Sequence, residues 1–123
     1  MTLALGLLAV AAAQGAAPGV GPSGAVIFGQ RCAACHSVED QAAPKMGPNL
    51  YCVRDRVAGT QSGYAYSESM RQSRLRWSAV ELDRFLTAPA AAVPGTKMFF
   101  AGIKDTAQRR TVINFLRPCS GRK

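Results

Sequence analysis

The sequence holds one cluster of residues with an evident capacity for chemistry, the stretch C-A-A-C-H from Cys32 to His36. Two thiols three positions apart, followed by an imidazole, suit a redox disulfide, a zinc site or a covalently attached haem. A thioredoxin-like dithiol needs a βαβ context, and no strand-like segment flanks the motif. Zinc needs four ligands, usually as two separated pairs, whereas Cys52 and Cys119 stand alone and His36 is the only histidine. The spacing therefore favours haem c, in which the thiols bond the porphyrin and the imidazole reaches the iron.

The chain around this motif has little regular periodicity. A first helix is predicted from Gly24 to near His36. Residues 37–67 then show no sustained period and are interrupted by Pro44, Gly47, Pro48, Gly59 and Gly63. An irregular stretch of that length is uncommon in a compact domain. A large bound cofactor would organise it in place of secondary structure.

The second half of the chain carries clearer helix signals. Ser78 and Glu81 form a capping box, so a helix is predicted to begin there and to end at about residue 88, before a proline. A shorter helix is expected at 68–72. Asp105 or Thr106 is expected to cap a last helix, in which Val112, Phe115 and Leu116 line one side. Because we find no repeat and no alternating strand, we predict an all-α fold.

The N-terminal residues resemble an export signal. The apolar run over residues 3–13 would span roughly 16 Å as a helix, short of the roughly 30 Å of a bilayer core. We interpret residues 1–13 as a signal peptide, although no Lys or Arg precedes the run, and residues 14–23 as a linker. The alternative is a hydrophobic helix retained in the fold. Residues 24–123 then form one domain in a periplasmic protein.

Five stretches occur in an order that resembles the class I cytochrome c family: CAACH, MGPNL, GYAYS, Trp77 and VPGTKMFFAGIK. The resemblance covers about Gly24 to Leu116. It implies a cytochrome c fold of three main helices plus a short one, with long loops wrapped around one covalent haem c. It also implies a soluble one-electron carrier between membrane redox complexes, in respiration or photosynthesis, and not an enzyme.

The resemblance also assigns the residues that hold the haem. Cys32 and Cys35 match its covalent attachment, His36 and Met98 the axial ligands of the iron, and Pro48 the carbonyl that accepts the second imidazole N–H. The other candidate sixth ligands are Met46 and Met70.

Further matches concern the walls of the haem pocket. Tyr66 and Trp77 correspond to residues that hydrogen-bond a buried haem propionate, and Arg56 to one that neutralises it; each is otherwise ordinary packing or surface. Phe85 stands where family members commonly have Tyr, and Met70 where many have Asn. Both changes remove polar groups, so we expect a drier pocket.

The remaining two cysteines depart from the family pattern. Cys52 follows GPNLY, where the family usually has Gly, and Cys119 follows the last helix. Buried free thiols are one interpretation. In the family's fold, however, that loop passes beneath the C-terminal helix, and an exported protein meets oxidising conditions. We therefore expect a disulfide between them.

The charge balance bears on partners. Fifteen Lys and Arg against seven Asp and Glu give a net charge of +8, which favours acidic partners and salt-sensitive association. By resemblance, Arg31, Lys45, Lys97 and Lys104 belong to a ring of cations around the haem edge, and Arg109 is a distant charge. We expect a monomer that docks on acidic patches of a reductase and an oxidase or photosynthetic reaction centre, without nucleic acid. The alternatives are a haem enzyme or sensor from which Met98 dissociates, and a zinc-binding interaction module.

Overall fold

The computed structural model describes residues 21–119, so the predictions for residues 1–20 lie outside the described residues. Five helices occur in this range: α1 Gly24–Arg31, α2 Glu68–Gln72, α3 Ala79–Thr87, α4 Pro89–Ala92 and α5 Thr106–Phe115. The described part of the chain forms no strand, although isolated bridges join Arg54 to Pro118 and Val57 to Arg76. The all-α prediction is confirmed. None of the helices in this range combines the length and the apolar character needed to cross a membrane.

Helices α1, α2, α3 and α5 begin at polar side chains that accept hydrogen bonds from otherwise unpaired backbone N–H groups. Ser78 caps α3 and Asp105 caps α5. Only half of the predicted capping box is seen, because the Glu81 carboxylate pairs with Arg84 instead. Ser23, which we had placed in the linker, caps α1 and so belongs to the folded domain.

One helix boundary differs from the prediction, and one helix was not predicted at all. Helix α1 ends at Arg31 rather than near His36, and residues 32–36 continue as a turn in which the N–H groups of Cys35 and His36 both donate to the Cys32 carbonyl. Helix α4 is a second short helix that was not predicted. Pro89 stands at its first position, where the missing N–H costs nothing and the fixed φ suits a helix.

Helices α1 and α5 cross closely. A Cβ on Gly24 would lie 2.5 Å from the Phe115 Cβ and 2.8 Å from the Thr111 carbonyl oxygen. The rings of Phe28 and Phe115 have centroids 5.5 Å apart. The crossing therefore depends on the absence of a side chain at Gly24.

Helix α5 is also joined to α3 by a buried arginine. Arg109 is 8% exposed, and its Nε donates to the Asp83 carboxylate at 2.7 Å while Nη1 donates to the Ile103 carbonyl at 3.0 Å. The sequence indicated only that Arg109 is a charge distant from the haem edge. It is also a structural cross-link to Asp83, 26 positions away.

Candidate haem-binding site

An apolar cavity of about 210 Å³ lies inside the helices and is lined by the motif residues, the GPNL turn, α3 and the Met98 loop. Protein interiors rarely contain voids much larger than a water molecule, and apolar cavities do not hold water well. A native cavity of this size and character therefore fits a bulky, largely apolar ligand. The predicted haem meets this requirement.

His36 is buried in the cavity wall with its imidazole orientation fixed. Its Nδ1 lies 2.7 Å from the Pro48 carbonyl oxygen. Because a carbonyl can only accept, the Nδ1–H donates and the Nε2 lone pair stays available, the arrangement typical of metal-binding histidines. Burial lowers the pKa of His36; the Pro48 hydrogen bond opposes this shift, and the nearby Lys45 charge adds to it. The imidazole is thus neutral at pH 7, as a ligand must be.

Gly47 packs directly against this imidazole, a contact that the sequence analysis missed. A Cβ at this position would lie 2.8 Å from His36 Nδ1 and 2.9 Å from Nε2. The Gly47 N–H donates to the Cys35 carbonyl at 2.9 Å, which ties the GPNL turn to the attachment motif. The glycine was visible in the sequence, but its contact with the ring could not be read from the spacing.

The Cys32 thiol lacks the lowered pKa of a redox-active dithiol. Cys32 and Cys35 both line the cavity. Burial raises the pKa of the Cys32 thiol; the adjacent Arg31 charge opposes the shift and Cys35 adds to it. Reactive dithiols have lowered pKa values instead. No group of three or more His, Cys, Asp or Glu side chains arranged to hold a metal ion occurs within residues 21–119, so the zinc alternative gains no support there.

Three methionines line the cavity: Met46, Met70 and Met98. Met46 is 80% exposed at its mouth and Met70 is only 8% exposed, whereas Met98 is half-buried. The Met98 backbone N–H donates to the Thr96 hydroxyl at 3.3 Å. Lining alone does not separate the three candidates, and the preference for Met98 rests on its P-G-T-K-M context.

The loop that carries Met98 is hydrogen-bonded to helices α1 and α3. Arg31 donates to the Gly102 carbonyl at 3.1 Å, and its guanidinium lies 5.3 Å from the centre of the Phe100 ring. The Ile103 N–H donates to the Leu86 carbonyl at 2.8 Å. These contacts join the loop to the C-terminal ends of α1 and α3.

The three predicted propionate residues Arg56, Tyr66 and Trp77 all line the cavity. Phe85 also lines it, and the Trp77 and Phe85 rings have centroids 4.9 Å apart. Burial lowers the pKa of Arg56, while interaction with Tyr66 opposes that shift. Burial raises the pKa of Tyr66, with Arg56 acting in the opposite direction. The guanidinium and the phenol are thus partly desolvated and electrostatically coupled.

The structure pairs Cys52 with Cys119. Their Cα atoms are 5.0 Å apart, within the range found for disulfides. Cys52 has φ of 58°, a left-handed conformation that glycine adopts most readily. A glycine would also suit this backbone conformation, and the bridge between Arg54 and Pro118 lies next to the pair.

The four predicted docking cations are exposed, and each also donates to a backbone carbonyl of another segment. Arg31 and Lys97 line the cavity mouth, whereas Lys45 and Lys104 do not. Lys97 bonds the Ala65 carbonyl at 2.7 Å; Lys45 and Lys104 bond the carbonyls of Ala33 and Thr87. Beside them, the Met46 and Phe99 side chains project into solvent.

Comparison with known proteins places this geometry in context. The family model described as Cytochrome c matches residues 23–120. Cytochrome c of Ginkgo biloba is 36% identical over 108 residues, which are 88% of this chain and 96% of that protein. Cytochrome c of Ulva intestinalis is 40% identical over 102 residues, which are 83% of this chain and 92% of that protein. The structure of cytochrome cH from Methylobacterium extorquens superposes with a TM-score of 0.70 at 37% identity, covering 76% of this chain and 92% of that one. The predicted cytochrome c fold is confirmed.

Proposed function

Because this chain belongs to the cytochrome c family, we propose that it shuttles single electrons between membrane redox complexes through a His/Met-ligated haem c. Members of the family are electron carriers that hold covalent haem c. When bound, the haem iron supplies one-electron chemistry by alternating between its ferrous and ferric states. The observation that carries the proposal is the geometry of His36 in the apolar cavity. Its Nδ1–H donates to the Pro48 carbonyl, which leaves the Nε2 lone pair available to bind iron.

In this proposal the motif residues hold the cofactor. Cys32 and Cys35 form thioether bonds to the porphyrin, while His36 and Met98 ligate the iron. A thioether is a soft ligand, which favours reduced iron and raises the potential. The fastened loop favours retention of Met98, since Arg31 and Ile103 tie it to α1 and α3. This supports a carrier over the alternative enzyme or sensor, which requires the ligand to dissociate.

The wall residues have a separate task in this proposal. Arg56, Tyr66 and Trp77 bind a haem carboxylate, and the buried pair Phe85 and Met70 excludes water from the pocket. A cation held in a partly desolvated site acts on the iron more strongly than a hydrated one, because water screens it less.

The mouth of the cavity suits a transient electron-transfer partner. The exposed cations Arg31 and Lys97 line the cavity together with the exposed Phe99, whereas Lys45 and Lys104 are exposed cations outside its lining. We assign acidic patches of a donor reductase and of an oxidase or photosynthetic reaction centre as partners, because charge steering gives fast encounter and easy release.

The cellular location remains a prediction that rests on residues 1–13. Export to the periplasm agrees with the pairing of Cys52 and Cys119, and a disulfide there closes a long loop, for a stabilisation of about 2–4 kcal/mol. Peptide mapping of the mature protein without reduction tests this bond.

Optical spectroscopy of the purified protein tests the proposed function. We expect sharp bands in the reduced form, a weak thioether-to-iron band in the oxidised form, and a chromophore that stays with the polypeptide after denaturation. Cys32→Ser with Cys35→Ser should lose the covalent chromophore. Haem that separates from the unmodified protein on denaturation, or a purified protein that contains zinc instead, would contradict the proposal.

A further inference from the structure

Arg56 stands between two hollows. On one side it lines the apolar cavity. On the other it lines a more open surface hollow, whose wall includes Asn49, Tyr51, Gln61 and the paired Cys52 and Cys119. Gln61 lines the outer hollow only. Arg56 thus belongs to the walls of both hollows, with Gln61 beside it in the outer one.

Gln61 holds this guanidinium with a side-chain acceptor. Arg56 Nη1 donates to Gln61 Oε1 at 2.7 Å. Arg56 also donates to two backbone carbonyls, those of Tyr51 at 3.1 Å and Asn49 at 3.2 Å. A backbone acceptor is fixed by the fold, whereas the Gln61 amide can be replaced without moving the main chain. The same residue reaches a second wall group, because its backbone N–H donates to the Tyr66 hydroxyl at 3.3 Å.

We propose that Gln61 is a positioning residue for electron transfer, which holds Arg56 and Tyr66 in the cavity wall and keeps the guanidinium from the water of the outer hollow. The inference rests on the proposed function, in which both groups face a haem carboxylate. A neutral amide can fix a cation without cancelling its charge. Since an unscreened cation near the iron favours the ferrous state, Gln61 raises the reduction potential.

The test measures the reduction potential of holoprotein variants at one pH and one ionic strength. Gln61→Met keeps the length of the side chain and removes the acceptor, so the potential should fall. Gln61→Glu keeps the acceptor and adds a charge that offsets Arg56, so the potential should fall further. Ser62→Ala, an exposed neighbour in the same hollow, is the matched control and should leave the potential unchanged. Gln61→Ala serves as a second acceptor-free variant if Gln61→Met folds poorly.

A double variant separates positioning from general loss of structure. In an Arg56→Leu background, Gln61→Met should have no further effect on the potential, because the guanidinium that Gln61 holds is then absent. An unchanged potential in Gln61→Met and Gln61→Ala would overturn the inference, as would a fall in Gln61→Glu alone, or a Gln61→Met effect that persists without Arg56. If Arg56→Leu itself leaves the potential unchanged while haem stays attached, the proposed role of Arg56 fails as well. Absence of haem from the unmodified protein would instead refute the proposed function.

Discussion

At the scale of single residues, the site depends on how one imidazole is held. The Pro48 carbonyl fixes the ring's tautomer and Gly47 leaves room for its face. Gly47→Ala places a methyl group against the ring atoms, so the imidazole or the GPNL turn must move. We expect a loss of low-spin haem and of thermal stability, with a destabilisation of about 1–3 kcal/mol typical of overpacking.

Absorption spectroscopy and thermal unfolding of the holoprotein check this expectation. Gly21→Ala is a suitable control, because a Cβ there meets nothing within 4 Å. A Gly47→Ala protein with the spectrum and stability of the unmodified chain would show that the turn adapts without cost and that the contact has no functional weight.

The sequence predicted those residues whose chemistry depends on local spacing. Cys32, Cys35 and His36 are recognisable because five adjacent positions carry the motif. Gln61 and Gly47 were missed because their roles come from contacts with groups elsewhere in the chain. The pairing of Arg109 was missed for the same reason, since its Asp83 partner is 26 positions away. Burial and long-range pairing are properties of the packed chain, which spacing does not encode.

At the scale of helices, the crossing of α1 and α5 is limited by the approach of their backbones. Gly24→Ala adds a Cβ that would lie 2.5 Å from Phe115 Cβ and 2.8 Å from the Thr111 carbonyl oxygen. The helices must separate to accept it, so the free energy of unfolding should fall by about 1–3 kcal/mol. Denaturant unfolding of the holoprotein measures the change.

The same helix offers a matched control for this prediction. A Cβ on Gly29 meets nothing within 4 Å, and alanine is favoured over glycine inside a helix by roughly 0.5–1 kcal/mol. Gly29→Ala should therefore stabilise the protein slightly. Equal effects of the two substitutions would mean that helix propensity, and not the close crossing, determines the outcome.

Helix boundaries were predictable where a local cap defines them. Ser78 and Asp105 cap α3 and α5 as their sequence context indicated. The early end of α1 was not predictable because it depends on the turn at Cys32. Helix α4 was not predictable because it has only four residues, beginning with Pro89. Short elements of this kind are fixed by the surrounding packing rather than by their own propensity.

At the scale of the whole molecule, the positive charge should govern how partners are found. We expect the bimolecular electron-transfer rate with an acidic partner to fall steeply with salt, because the Debye length shrinks from about 30 Å at 0.01 M to about 10 Å at 0.1 M. Lys45→Glu and Lys97→Glu should each slow the rate at low salt with little change in potential. Stopped-flow kinetics over a range of ionic strength measure the effect.

The control for these variants must be a charge that is exposed and away from the cavity. Arg109 is unsuitable because it is buried and paired with Asp83. Arg110 is exposed on α5 and does not line the cavity, so Arg110→Glu changes the net charge alone. Equal slowing by Arg110→Glu would show that the rate depends on net charge and not on the positions of Lys45 and Lys97. Rates that are independent of salt would contradict electrostatic docking.

The central claim is that the cavity holds a covalent haem whose iron is ligated by His36 and Met98 and transfers one electron at a time. Redox titration followed by visible absorption tests it most directly, on the unmodified protein and on Met98→Ala, with Met46→Ala and Met70→Ala as controls. We predict a reversible one-electron transition. For Met98→Ala we predict a lower potential with the haem still attached, and only Met98→Ala of the three variants should lose the thioether-to-iron band and bind added ligands. An unchanged potential and an intact sixth ligand in Met98→Ala would contradict the account.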